Sequence, residues 1–310
     1  MRRARQSGVA VITAVLIVAV AASAATLMIA QQSATLDQAM MVASRAQADQ
    51  YAAAGLDWAR GVIAADPGTV DSLADPWAQP IAALPVERAI VSGDITDEQG
   101  KFNLDNLVVA NHKSPDDIAI FQRLLASLGL DPGLADAVVD WIDADSDLAG
   151  PGGAEDPYYL ALPRPYRAAN QPMVQVEELY RVRGFDAKAV AALKPYVAAL
   201  PAQARTSINA NTADPRVLAA VLPNVPRTAL EQLVARRVAK PFATAGDIAL
   251  WAATFDPKAS TAALDVKSGY FGVHVRVTQD DVRLATDALV QRGTAPGQAA
   301  AAFVWRRPRY

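Results

Sequence analysis

The first 65 residues constrain this chain more than any other part of it. Met1-Arg2-Arg3-Ala4-Arg5-Gln6-Ser7-Gly8 carries three arginines, an apolar run follows from Val9 to Ala30, and no charged side chain occurs between Arg5 and Asp37. As a helix the run would measure about 33 Å, enough to cross the hydrocarbon of a bilayer. A basic cluster beside such a span stays in the cytoplasm, so the chain beyond it is expected outside.

The helical pattern does not stop where the apolar run ends. No proline occurs before Pro67, and Leu36, Met40, Ala43, Gln47, Tyr51, Ala54, Trp58 and Val62 recur at spacings of three and four. That spacing puts them on one face of one helix. The expectation is a leader at 1–8, a transmembrane half at 9–30 and a periplasmic half at 31–65, forming one rod of about 85 Å. A secretory signal peptide has the same basic start, and Ala22-Ser23-Ala24 fits its cleavage pattern. Such a signal gives way to a new domain, whereas here the helix continues. The shape resembles a type IV pilin or pseudopilin. That resemblance implies a prepilin peptidase that cuts between Gly8 and Val9, methylation of the new amino terminus, and neighbouring helices that pack on Leu36, Met40, Tyr51 and Trp58.

With 310 residues the chain has room for two or three domains, and 52% hydrophobic content rich in alanine suits helical globular structure. Cysteine is absent, which excludes disulfide staples, thiol catalysis and cysteine-ligated zinc. The formal charge of −3 becomes more negative once a leader with three arginines is removed, a poor balance for sequence-blind phosphate binding.

Pro67, Pro76, Pro80 and Pro85 read as a linker after the rod. A β pattern follows in Val86 to Thr96, with a turn at Asp97-Glu98-Gln99-Gly100. Near the other end, Phe271, Val273, Val275 and Val277 alternate with polar residues, Val282 to Val290 repeats the alternation, and Ala301 to Arg306 gives one more strand. The intervening segment has helical spacing almost throughout. The expected fold is α+β: a pilin-like long amino-terminal helix packed on an antiparallel sheet from 66–108 and 265–310, with a large all-α insertion at 109–264 that contains helix-hairpin-helix or SAM-like segments.

The insertion holds the densest chemistry. Asp140, Asp143, Asp145, Asp147, Glu155 and Asp156 fall within residues 140–156, with no lysine or arginine among them. Such a cluster repels itself unless water, a proton or a cation intervenes. Calcium takes six to eight oxygen ligands and tolerates irregular loops, and the intervening glycines let the chain bend around an ion. An EF-hand is excluded, because Leu148 stands where its sixth-position glycine is needed. A solvated acidic loop is the plain alternative, and a carboxylate-pair hydrolase has no companion cleft residues in its favour.

Asp97-Glu-Gln-Gly-Lys-Phe-Asn-Leu-Asp-Asn-Leu107, Asp140-Trp-Ile-Asp-Ala-Asp145, Gly153-Ala-Glu-Asp156, Pro165-Tyr-Arg-Ala-Ala-Asn-Gln-Pro172 and Ile208-Asn-Ala-Asn-Thr212 together closely resemble the general secretion pathway protein K family, the large minor pseudopilins of type II secretion systems. The resemblance implies that the acidic loop binds structural Ca2+ through Asp140, Asp143, Asp145, Asp147, Glu155 and Asp156. It implies an inner-membrane, single-pass protein with a periplasmic carboxy-terminal domain. Its partners would be minor pseudopilins of the I and J classes, other pseudopilins and the inner-membrane assembly platform. It would cap the pseudopilus tip and help to initiate assembly for the export of folded proteins. Most pilins carry glutamate at the fifth mature position, where it pairs with the subunit ahead. Counting from Val9, that position is Thr13. An unpaired carboxylate in lipid is costly, so a first subunit should lack one.

The competing reading is a minor pilin of a type IV pilus or DNA-uptake system. Val217 to Pro226, followed by Arg236, Arg237 and Lys240, resembles a helix-hairpin-helix, but Pro226 has no N–H for a phosphate. Nucleic acid is therefore an unlikely partner. Enzymatic activity is not expected either: His112 and His274 are the only histidines, and both sit in ordinary turn or strand contexts. Replacing Gly8 by leucine should block leader removal. Mass spectrometry of the membrane-extracted protein checks this, and a chain still starting at Val9 would refute it.

Overall fold

The computed structural model of the chain describes residues 7–201, 204–293 and 300–309. Residues 1–6 of the expected leader lie outside the described residues. The rod is present as one uninterrupted helix, α1 (Ser7–Ala65), of 59 residues, or about 88 Å at 1.5 Å per residue. Among the described residues nothing covers its apolar half; Val9, Ile12, Leu16, Val20, Leu27 and Ile29 are all exposed.

Burial starts in the second half, where Ala48, Ala52, Leu56, Ala59 and Ile63 form a stripe at helical spacing. This stripe packs on a five-stranded antiparallel sheet of β1 (Ile81–Val86), β2 (Ala89–Asp97), β3 (Tyr270–Gln279), β4 (Val282–Arg292) and β5 (Ala301–Pro308), in that spatial order. Ile95, Phe271, Val273, Val275, Val277, Ala288 and Val290 supply the sheet side of the core, and Trp77 closes it with its ring 5.2 Å from that of Phe271. Alanine dominates the stripe because backbone and sheet approach closely. A Cβ on Gly55 would already stand 3.0 Å from Val275 Cγ1.

The packed face is therefore not the one marked by the large residues. Leu36, Met40 and Trp58 remain exposed, at 63%, 60% and 53%. Tyr51 differs from them: it is half-buried, and its hydroxyl donates to Glu87 Oε2 at 2.8 Å. The expected linker is also partly strand. β1 runs through Pro85 because it is an edge strand, where a missing N–H breaks no ladder bond toward solvent.

The segment between the sheet's two halves is less regular than its spacing suggests. Among the described residues its α-helices are α2 (Pro115–Ser127), α3 (Leu134–Ile142), α4 (Asp156–Leu160), α5 (Ala187–Leu193), α6 (Pro215–Val221), α7 (Arg227–Arg237) and α8 (Ala245–Ala253), joined by long irregular stretches. They enclose a separate core that includes Phe121, Leu124, Val138, Trp141, Tyr159, Leu193, Val217, Leu218 and Leu230. Phe102, Leu104 and Leu107, expected with the sheet, belong to this second core, and Phe102 stacks on Phe121 with centroids 5.5 Å apart. Leu264 and Val266 belong to it as well. Hydrophobic side chains just before 109 and just after 264 thus point into the helical core rather than onto the sheet.

Buried polar groups join the two cores. Asp97 Oδ2 accepts from Asn209 Nδ2 (2.9 Å), Thr212 Oγ1 (2.6 Å) and Ser268 Oγ (2.6 Å), while Oδ1 accepts from the Gln99 N–H (2.8 Å). Burial pushes this carboxyl up to about 6, against the bonds donated by Ser268, Thr212 and Gln99. Arg292 reaches Asp71 at 2.8 Å and Asp66 at 3.3 Å, tying β4 to the end of α1. Leu56→Ala should lower stability by about 2–5 kcal/mol, whereas Leu36→Ala should leave it unchanged. Denaturant unfolding of the detergent-solubilised chain, followed by tryptophan fluorescence, checks the contrast; equal effects would refute the assignment of the packed face.

Candidate metal centre

Helix α3 carries Asp136 in its first turn and Asp140 one turn later, then ends at Asp143, whose backbone turns extended. The chain loops outward and returns through Gly150-Pro151-Gly152-Gly153 to Glu155, which precedes α4. This return passes very close to α3. A Cβ on Gly153 would lie 2.2 Å from Asp140 Oδ2, and one on Gly152 would lie 2.1 Å from the Gly133 carbonyl. Only glycine fits such an approach. The Gly152 N–H donates to Asp136 Oδ2 at 3.1 Å, and Arg183 Nη1 donates to the Gly153 carbonyl at 2.6 Å, fixing the return from both sides.

The result brings Asp140, Asp143 and Glu155 together, with one carboxylate oxygen from each within 4.8 Å of the others. All three are buried, at 0%, 2% and 4% exposure. Asp140 Oδ1 accepts from the Ala149 N–H at 2.7 Å. Asp140 Oδ2, both Asp143 oxygens and both Glu155 oxygens have no hydrogen-bond partner. The Lys113 ammonium stands 3.2 Å from Asp143 Oδ2, within ion-pair range but without well-directed hydrogen-bond geometry. Trp141, next to Asp140 on α3, meets Tyr159 edge to face at 5.4 Å, and both are buried.

Burial and then the neighbouring Asp140 and Asp143 charges push Glu155 up to about 7. Burial likewise raises Asp140, against the Ala149 N–H, and Asp143, against Lys113. Four buried carboxylate oxygens with neither hydrogen-bond nor ion-pair partner, and a fifth that faces only Lys113, form a hard, all-oxygen donor set, the kind that suits a divalent cation such as calcium or magnesium.

The other expected ligands do not join this group. Asp145 and Asp147 are exposed on the outward loop, where Asp145 Oδ1 accepts from the Asp147 N–H at 2.8 Å. Asp156 faces away and accepts from the Ala168 N–H at 3.1 Å, with Arg167 at 3.3 Å. Asp143 caps the end of α3, whereas Asp145 and Asp147 follow on the exposed loop, so the three do not converge. Lys113 and Asp136 went unnoticed. Asp136 could have been found from its one-turn spacing to Asp140, whereas Lys113 reaches the site only through the fold.

Elsewhere, the Thr13 hydroxyl donates to the Val9 and Ala10 carbonyls at 3.1 and 3.0 Å, so its polar atom is satisfied within its own helix. Arg237, which the nucleic-acid alternative would turn toward phosphate, is buried and donates to the Ala210, Thr212 and Ala213 carbonyls. The second acidic group, Asp66, Asp71 and Asp75, already holds the Arg292 guanidinium.

Profiles of the family described as Type II secretion system (T2SS), protein K, match residues 100–202 and 208–267. Type II secretion system protein K of Pseudomonas aeruginosa is 36% identical over 307 residues, covering 94% of this chain and 90% of the relative. Its namesake in Pectobacterium carotovorum is 36% identical over 224 residues, covering 68% and 67%. A chain in the crystal structure of the GspK-GspI-GspJ complex from the enterotoxigenic Escherichia coli type 2 secretion system aligns with TM-score 0.73 at 26% identity, covering 86% of this chain and 97% of that one.

Between the ordinary glutamate value of 4.5 and about 7, folded Glu155 keeps a proton that the unfolded chain has released. Its contribution to stability is therefore full at low pH and lost as pH rises through that window. With a chelator present, the melting temperature should fall between pH 5 and 8, and Glu155→Gln should flatten the fall. An unchanged slope in the variant would refute this.

Proposed function

Since the chain belongs to the type II secretion system protein K family and is a minor pseudopilin of that system, we propose that it caps the tip of the periplasmic pseudopilus and helps to initiate its assembly. The observation that carries this reading is the division of α1. One half is uniformly apolar and unpacked, the other is sheathed by the head on one stripe only, and Leu36, Met40 and Trp58 stay exposed between. A helix of this kind is anchored in the inner membrane by its first half, with the head in the periplasm. Its exposed face receives the stems of other subunits. Minor pseudopilins of the I and J classes are the partners we assign, guided by the composition of the related complex. Tyr51, already bonded to Glu87, contributes less to that face than the other three.

Thr13 fits the first position in such a fibre. Its hydroxyl is satisfied by its own helix, so it asks for no partner ahead, whereas a carboxylate there would. The helical insertion adds bulk that suits a tip and would obstruct stacking within a shaft. Its helix pairs α2–α3 and α6–α7 serve as packing hairpins, with Arg237 consumed by backbone carbonyls. Nothing in this reading requires catalysis; the role is steric and templating.

Asp140, Asp143 and Glu155 would hold a structural Ca2+, supported by five buried carboxylate oxygens without hydrogen-bond partners, of which one faces Lys113. The ion would supply double positive charge where three acidic side chains converge, and so staple the glycine-rich return to α3. The experiment for the whole reading is co-purification with I- and J-class minor pseudopilins. Leu36→Ser, Met40→Ser and Trp58→Ala combined should reduce capture about tenfold without lowering the head's melting temperature. Full retention would refute the stem-mediated role.

A further inference from the structure

Among the described residues Lys113 is the one cation in an ion pair with the carboxylate cluster, and its setting differs from theirs. It ends a tight hairpin in which Val108 and Val109 pair with His112 and Lys113. Ala110 and Asn111 make the turn with φ of 50° and 62°, left-handed values that fix its direction. The hairpin is pinned to the helical core through Val108 and the Ser114 N–H, which donates to the Leu107 carbonyl at 2.9 Å. The Lys113 backbone is thus held in place while its side chain reaches Asp143 Oδ2 at 3.2 Å. That side chain is 35% exposed, whereas Asp143 is 2% exposed. The ammonium can leave for water, but the carboxylate cannot.

We propose that Lys113 is a tethered counter-ion of the metal centre: it partly neutralises Asp140, Asp143 and Glu155 when no ion is bound, and is displaced outward when calcium enters. The inference rests on the calcium reading and goes beyond it by assigning the residue that sets affinity. Ionised, the three carboxylates carry three negative charges, and Lys113 offsets one. A divalent cation seated among the same oxygens lies within a few ångströms of that ammonium and repels it more strongly than it would in bulk water. Calcium therefore works against Lys113 as well as against protons. The exposed Asp145, whose charge already adds to the attraction on Lys113, gives the displaced ammonium a neighbour on the outward loop. This gives a use to an acidic side chain that stays outside the buried cluster. The lysine keeps the ion-free loop folded, and the cost of displacing it weakens calcium binding.

These two roles have opposite signs in one variant, which makes the inference testable on the full chain in detergent. Lys113→Met keeps the aliphatic stem and removes the charge; Lys113→Arg keeps the charge. In a chelator, Lys113→Met should melt at a lower temperature than the native chain, and calorimetric titration should show half-saturation at about tenfold lower calcium. Lys113→Arg should stay close to native in both. If Lys113→Met unfolds in the chelator and refolds on adding calcium, that is the same result in its extreme form, and Lys113→Gln then supplies the titration. Equal or weaker calcium affinity in the uncharged variants would overturn the inference while leaving the calcium reading intact. No calcium response in any protein, native included, would overturn both.

Discussion

Three acidic side chains held together away from water set the main constraint on this protein's head. At a separation of about 4 Å and an effective dielectric of about 20, each pair of like charges costs about 4 kcal/mol, and a whole domain is stable by only about 5–15 kcal/mol. Asp140, Asp143 and Glu155 cannot all be ionised and unaccompanied. The local architecture fits that demand: α3 ends where two of them converge, glycines let the third approach, and one lysine leans in from a neighbouring hairpin. Protons, Lys113 and a divalent cation are the three available answers, and they exclude one another in part. Fixing the 143–155 loop in turn seats Tyr159 against Trp141, and both belong to the core that buries α2, α3 and α6.

The stem shows how one helix serves three environments with one repeating geometry. Large apolar residues face outward through the first half, which is long and apolar enough to cross a membrane. In the second half small residues meet the sheet, because alanine and glycine permit the close approach that Val275 requires. Large residues on the opposite side remain free for other chains. Arg292, buried between Asp66, Asp71 and the Phe271 ring, locks the end of the rod to β4. Asp97 and Asn209 lock the sheet to the helical insertion. Buried, hydrogen-bonded junctions thus join the head to the rod.

Much of this was legible in residue order, for identifiable reasons. Proline-free helical spacing announced α1, and strict alternation announced β2, β3 and β4. The edge strand β1 was hidden by Pro85, since a proline argues against a strand wherever its edge position is unknown. The packed stripe of α1 was hidden because Ala48, Ala52 and Ala59 carry little hydrophobic signal, although small size was the property the sheet needed. In the acidic loop, residue type found the region but not the geometry. Asp145 and Asp147 look equivalent to Asp143 in order and differ only because a helix ends between them. The strings at 97–107 and 208–212 looked like a family signature, and here they form polar junctions. Lys113 carried no local signal, since its partner lies thirty positions away.

The most direct measurement is the calcium content of the detergent-solubilised full chain after gel filtration in buffer with millimolar free calcium, determined by elemental analysis beside Asp143→Asn combined with Glu155→Gln. The account predicts at least one calcium retained per native chain and none in the double variant. A native chain that emerges without calcium, or a double variant that retains as much, would contradict it.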